Sequence, residues 1–447
     1  MTQSSRQTWG APNEPAALIS RVLAERAVQP LFQPIVHLAT RQLVGVEALA
    51  RGPAGSPVEF PDQLFEAAAR AGMVAELDQL CAARAHEIAQ APGTVVPPLV
   101  FINKEPAGAD HPLSDELRSR IASISTYRYV LEFTERALAA HPSALLEVAA
   151  RAHRTGGALA LDDVGADRLS LAFLPLMEPE VVKLDMHLLR EPYSAHTVET
   201  TALVSGFAER TGAAVVAEGI ETEQDLLVAR ALGACWGQGW LFARPGPLSV
   251  LRHWPVHPAA RLRAPRPELH QPGVSPFTLV SARQHARTGD RHLIDGLTEY
   301  VLRQLAFAGP YGLVLGAYPD PAVGRGWLPR LAAPASTAAL VGLSGPPLGV
   351  PDPTPIRTTA DDSADGSETA LAIVDPHVTV TLCARQRDDR AVDFVLSHDP
   401  DVVHAVARTL LHRLGPDQSL PAPSDDHAVV SAASGLERDD RRAVPAG

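Results

Sequence analysis

The sequence predicts an α/β fold: a (β/α)8, TIM-like barrel with one antiparallel strand, followed by a smaller α/β domain. Three observations carry this. Residues 30–245 repeat one theme, an apolar segment, a loop and an amphipathic segment. That alternation implies parallel strands joined by crossover helices. About eight strand candidates fall in roughly 220 residues, the size of a (β/α)8 barrel. The first two candidates are joined only by "ATRQ" (39–42). Parallel strands need a crossover of a dozen or more residues, so this joint is a hairpin and one strand runs antiparallel. A doubly wound open sheet is the alternative, but no glycine-rich phosphate loop is evident.

The strand candidates, in order, are "LFQPIVHL", "LVGVEALA", "PLVFINK", "YRYVLEFTE", "GALALDDVG", "VVKLD", "AAVVAEGI" and "GWLFA". Helix candidates between them include "DQLFEAAARAG", "ELDQLCAARAHEIAQ", "PSALLEVAARAHRTG", "TVETTALVSGFAERTG" and "TEQDLLVARALG". Their apolar residues recur at three- and four-residue spacing. Several end at glycine, as at Gly156, Gly212 and Gly233, where a left-handed cap stops the helix.

The barrel is assigned to 15–250. Residues 251–276 are Pro-rich and read as a linker. The second domain spans 277–415. It opens with the amphipathic "TGDRHLIDGLTEYVLRQLAFAG" and closes with "DPDVVHAVARTLLHRLG". Between them lie strand candidates "GLVLGAY", "AALVGL", "LAIVD" and "VTVTLCAR". "GPPLGVPDPTPIRTTADDSADGS" (345–367) reads as a mobile loop, and 416–447 as a disordered tail.

Two domains suit 447 residues. A net charge of −12 argues against a broad nucleic-acid-binding surface. Cys81, Cys235 and Cys383 are far apart, with no zinc or redox spacing, so reduced thiols in a cytoplasmic protein are expected. The N-terminus lacks a signal-peptide pattern, and no apolar run reaches the length of a membrane span.

Polar residues gather at the C-terminal ends of the barrel strands: Glu47, Asn103, Glu132, Asp162, Asp163, Lys183, Glu218, Glu221 and Gln238. In a barrel these ends converge on one face. Carboxylates so close repel unless cations hold them, and an all-oxygen donor set suits Mg²⁺ or Mn²⁺. Asp162 and Asp163 can reach two neighbouring metals if strand alternation relaxes at the turn marked by Gly165. Two such metals would clamp a phosphodiester and activate a water. Each residue alone is more often a cap, a turn or an ion pair, so the joint pattern is the evidence. Lys183 stands out because only it and Lys104 are lysines among 39 basic residues. Where arginine is the default cation, a lysine suggests that a compact ammonium is required.

The stretch "FQPIVHLATRQLVGVEALAR" (32–51) resembles the opening of an EAL-type cyclic di-GMP phosphodiesterase. The likeness continues in order through "FIN" (101–103), "LEFTE" (131–135), "LDDVG" (161–165), "VVKLD" (181–185), "VAEGIET" (216–222) and "GQGWLFARP" (237–245). The resemblance implies hydrolysis of cyclic di-GMP to linear pGpG at a two-metal site. It implies that Glu47, Asn103, Glu132 and Asp162 hold one Mg²⁺ or Mn²⁺, and that Asp162, Asp163 and Glu218 hold the other. Lys183 would position or deprotonate the attacking water. Gln33 would contact a base and Arg51 a phosphate, with Glu221 and Gln238 completing the site. Glu135 would steady the loop after the aspartate pair.

That loop departs from the family. Where relatives commonly read Asp-Asp-Phe-Gly-Thr-Gly-Tyr-Ser-Ser, this chain reads "DDVGADRLS". In the family the loop links the metal site to a dimer interface, so a homodimer and altered regulation are both in view. Restoring glycine at Asp167 and aromatics at Val164 and Arg168 is expected to raise turnover or metal affinity. The alternative is a weak or inactive receptor that binds cyclic di-GMP and signals through protein partners. The second domain resembles a sensory domain associated with diguanylate cyclases and two-component proteins, through "SPFTLVSARQHA", "VLRQLA" and "VDFVLSHDPDVVHAVARTLL". It implies regulation by a sensory ligand or protein partner that the residues do not identify.

Overall fold

The structure is a computed structural model describing residues 15–91, 97–105, 108, 111–134, 139–258, 261–269, 273–349, 355–361, 367–388 and 390–415. The tail expected over 416–447 lies outside the described residues, as does Glu135.

Eight strands close a barrel in chain order. They are β1 (Leu31–His37), β2 (Leu43–Leu49), β3 (Leu99–Asn103), β4 (Arg128–Thr134), β5 (Ala158–Val164), β6 (Val181–Leu184), β7 (Ala214–Ala217) and β8 (Trp236–Gly237). β1 pairs antiparallel with both β2 and β8, and the remaining neighbours pair parallel. The short hairpin therefore inverts β1 alone. The helices are α1 (Pro15–Ala24), α2 (Pro61–Ala71), α3 (Val74–Ala89), α4 (Asp115–Ala122), α5 (Pro142–Arg154), α6 (Arg168–Met177), α7 (Met186–Arg190), α8 (Ala195–Thr211) and α9 (Glu223–Ala231). Ile35, Val44, Phe101, Val130, Ala160, Val181, Val216 and Trp236 form the apolar plug inside the strands.

The eighth strand needs correction. It was expected over "GWLFA" (239–243), but only Trp236 and Gly237 pair. Beyond Gln238 the chain turns against Ile220: Leu241 N–H donates to the Ile220 carbonyl (3.0 Å) and Phe242 N–H to Gly239 (3.1 Å). A Cβ at Gly239 would lie 2.0 Å from the Ile220 carbonyl oxygen, so only glycine permits that approach.

The second domain holds a seven-stranded sheet in the order β12–β11–β10–β13–β14–β15–β9. Its strands are β9 (Arg287–Gly289), β10 (Leu313–Ala317), β11 (Leu340–Gly345), β12 (Ile356–Ala360), β13 (Glu368–Val374), β14 (Thr379–Gln386) and β15 (Val392–Ser397). Its helices are α10 (Pro276–Ser281), α11 (Arg291–Gln304), α12 (Pro321–Leu331) and α13 (Pro400–His412). β12 falls inside the segment expected to be a loop. It is an edge strand parallel to β11, and the proline-rich flanks conceal its β-branched Ile356, Thr358 and Thr359.

Strand alternation splits the two faces of this sheet. Val314, Leu371, Ile373 and Leu382 pack with Ile294, Val301 and Trp327 of α11 and α12. Leu313, Leu315, Ala370, Ala372 and Cys383 join an apolar cluster that continues into the barrel through Leu145, Leu171 and Phe173. α13 lies between, against α5 and α6.

Candidate functional site

The barrel register sets the polar groups at one end. Gln33 of β1 lies opposite Glu47 of β2, Asn103 of β3 opposite Glu132 of β4, and Thr134 of β4 opposite Asp162 of β5. Lys183 of β6 is 1% exposed, a depth at which an ammonium requires partners. Its Nζ lies 2.8 Å from Glu132, 2.9 Å from Asp162, 2.8 Å from Glu218 and 3.6 Å from Glu47. Glu47 accepts hydrogen bonds from Asn103 Nδ2 (2.9 Å) and Gln238 Nε2 (2.7 Å), and Gln238 Nε2 also reaches Gln33 Oε1 (2.9 Å). Gln33 Nε2 donates to the Ala243 carbonyl (3.2 Å), tying it to the chain that follows β8.

One ammonium does not balance this ring. Burial, and then the neighbouring carboxylates, push the Glu132 carboxyl well above its ordinary range. Burial and the Asp162, Glu47 and Asp163 charges do the same to Glu218. Burial raises Asp162 against the pull of Lys183. Glu47 goes the other way, because Lys183 and its two amide donors outweigh its burial. Lys183 is raised well above its usual value: burial opposes its charge, but the four carboxylates win. Glu132 Oε1 meets the Lys183 ammonium, while its other oxygen, Oε2, has no hydrogen-bond partner among the described residues.

The aspartate pair is resolved by a bulge. The β5–β6 register shifts between Leu161 and Val164, and Asp163 adopts φ +52°. This left-handed residue brings both side chains to the same mouth. Asp162, Asp163 and Glu218 then offer oxygens within 4.8 Å of one another. One buried and two half-buried carboxylates in a ring of excess negative charge fit a hard divalent cation, and this donor set contains no sulfur or imidazole.

Two further residues hold the turn. His196 Nε2 of α8 donates to the Gly165 carbonyl (2.6 Å), and Gly165 N–H donates to Ser170 Oγ (3.1 Å). Gly165 sits at φ +102°, and a Cβ there would press on Leu188 at 2.8 Å. Sequence reasoning missed both. Ser170 lies in the quoted loop, but nothing in the sequence marks a histidine so much further along. Asp167, one of the departures, caps α6 by accepting from Leu169 N–H (2.8 Å).

Thus Gln33, Glu47, Asn103, Glu132, Asp162, Lys183, Glu218 and Gln238 form one connected cluster, with Asp163 at its edge. Two expected site residues make other contacts. Glu221 faces Arg190 at 3.7 Å, and Arg51 Nη1 donates to the Ala50 carbonyl (2.8 Å). The second lysine, Lys104, belongs elsewhere and pairs with buried Asp78 on α3.

Residues 17–245 match the family model described as the EAL domain. The chain belongs to the EAL domain family. It is similar to the cyclic di-GMP phosphodiesterase PA2567 of Pseudomonas aeruginosa, 29% identical over 250 residues, covering 53% of this chain and 42% of the relative. It is equally similar to the probable cyclic di-GMP phosphodiesterase PdeB of Escherichia coli, 29% identical over 233 residues, covering 50% and 43%. The EAL chain therefore spans less than half the length of these curated relatives. Among solved structures, the Klebsiella pneumoniae BlrP1 complex with manganese and cyclic di-GMP is 29% identical, with a TM-score of 0.43 over 49% of this chain and 56% of that one. Among the described residues of this EAL protein, no helix is long and apolar enough to cross a membrane.

Proposed function

We propose that the barrel hydrolyses cyclic di-GMP to linear pGpG with Mg²⁺ or Mn²⁺, under the control of the second domain. The observation that supports this best is the buried ring around Lys183, with the Asp162, Asp163 and Glu218 oxygens within 4.8 Å of one another. The names of the similar proteins supply the substrate.

Glu47, Asn103, Glu132 and Asp162 would hold one cation, and Asp162, Asp163 and Glu218 the other. When bound, such metals lower the pKa of a coordinated water and stabilise charge on a phosphodiester. The protein's own groups do the rest. Asn103 and Gln238 fix the Glu47 carboxylate by donating to one oxygen each. Lys183 Nζ, charged among carboxylates, sets their spacing and is placed to orient the attacking water. Gln33, held by Gln238 and the Ala243 carbonyl, presents an amide to a guanine edge. Arg51 supplies a fixed cation for the phosphate that is not being cleaved.

The altered loop favours a second reading, a nucleotide receptor with little turnover. Arg168 within it donates to the Thr337 carbonyl of the second domain (3.0 Å) rather than being free to move with the loop. The double variant Asp162→Asn, Asp163→Asn separates the two. On the enzyme reading it binds cyclic di-GMP by calorimetry while losing the turnover of the wild type. On the receptor reading the wild type also binds and does not turn over.

A further inference from the structure

Helix α6 connects the aspartate pair to the second domain and is held at both ends. At its start, Arg168 Nη1 donates to the Thr337 carbonyl (3.0 Å). At its end, Arg408 of α13 donates from Nε to the Leu176 carbonyl (2.6 Å) and from Nη2 to the Pro175 carbonyl (3.3 Å). These are helix-terminal carbonyls that lack intrahelical donors. The guanidinium supplies the missing donors and opposes the negative end of the helix.

Arg408 also pairs with Glu178 Oε1 (2.8 Å), whose other oxygen accepts from Arg266 of the linker (2.6 Å). Glu178 is a non-glycine residue at φ +42°, a conformation kept by its surroundings. Arg408 is 6% exposed, so its charge is stable only with these partners. The helix between the two contacts has 10 residues, a rod of about 15 Å. It leads directly into the Asp163–Gly165 turn through the Asp167 cap and Ser170.

We propose that Arg408 is a positioning residue for the metal-binding aspartates, acting through α6. It rests on the metal-site reading above and adds the route by which the second domain sets Asp162 and Asp163. Packed helices shift as units, so loosening the far end of α6 displaces the turn that carries Asp163.

The test uses the full-length, metal-stripped protein, without nucleotide, and Mn²⁺ as the probe, with free Mn²⁺ measured by electron paramagnetic resonance. Arg408→Met should weaken Mn²⁺ binding five-fold or more while still melting cooperatively. Arg408→Lys, which keeps the charge on Glu178 but cannot reach both carbonyls, should fall between. The exposed Arg330→Met, whose guanidinium pairs with Glu299 of α11, should leave Mn²⁺ affinity unchanged. Wild-type affinity in a folded Arg408→Met overturns the proposal, as does an equal loss in Arg330→Met. If Arg408→Met does not fold, Arg168→Ala at the opposite end decides: weaker Mn²⁺ binding supports the route, and unchanged binding overturns it. Where turnover is present, the half-saturating metal concentration should rise with KM for cyclic di-GMP unchanged. A wild type that binds Mn²⁺ without turnover contradicts the enzyme reading and leaves the Mn²⁺ comparison decisive for Arg408.

Discussion

Lys183 Nζ stands 2.8 Å from Glu132 Oε1, and both groups are 1% exposed. The lysine occupies the centre of a carboxylate ring that it only partly neutralises. The site is thus an electrostatically loaded cavity whose own cation holds it together.

Replacing Lys183 with Met should destabilise the metal-free protein by about 3–5 kcal/mol, the usual effect of stranding buried charge. Saturating Mn²⁺ should recover part of that loss, because a cation returns to the ring. Urea unfolding with and without Mn²⁺ measures both. A variant as stable as wild type without metal would show that protonated carboxyls, not Lys183, relieve the repulsion.

Glu47 and Arg51 should fail differently. Glu47→Ala removes a carboxylate held by Asn103 and Gln238, and should lower kcat by at least a hundred-fold. Arg51→Ala should raise KM with a smaller effect on kcat, since it lies off the ring. Steady-state kinetics on both variants tests the separation. Near-normal kcat in Glu47→Ala contradicts the site assignment.

The loop cannot simply be returned to the family's pattern. Val164 is fully buried in the main apolar cluster, so Val164→Phe should cost about 1–3 kcal/mol through overpacking. Replacing Asp167 and Arg168 would also remove the α6 cap and the contact with Thr337. Restoring the familiar residues is therefore expected to lower stability, separately from the gain in turnover or metal affinity expected from sequence. Thermal melts of the single and combined variants check this.

Acid should act through His86. It is 1% exposed and hydrogen-bonded to Tyr127 Oη (2.8 Å). Burial, with the nearby Arg120 charge, lowers its pKa to about 4. The unfolded value is about 6.5. The fold thus favours the neutral ring. Its contribution, on the order of 3 kcal/mol, is complete above about pH 6.5 and lost as pH falls through 4. Denaturation midpoints from pH 7.5 to 4 should converge between wild type and His86→Gln. A constant gap across that range contradicts the assignment.

Much of the barrel was legible because its strands are apolar runs separated by amphipathic helices. The ring was legible because the motif residues sit at strand ends that the barrel geometry must gather. What escaped had non-local causes. β12 is an edge strand with one buried side chain, so it leaves little apolar signal. β8 stops early because of a close approach between Gly239 and Ile220. His196, Glu178 and Arg408 act on residues far away in the chain, and no local pattern marks them.

The most direct test of the central claim is the fate of cyclic di-GMP itself. Full-length protein is incubated with the nucleotide and Mg²⁺ or Mn²⁺, with and without excess chelator, and the products are resolved by chromatography. Linear pGpG should accumulate only when metal is available. Cyclic di-GMP that stays intact with metal, or is consumed equally in chelator, would contradict the account.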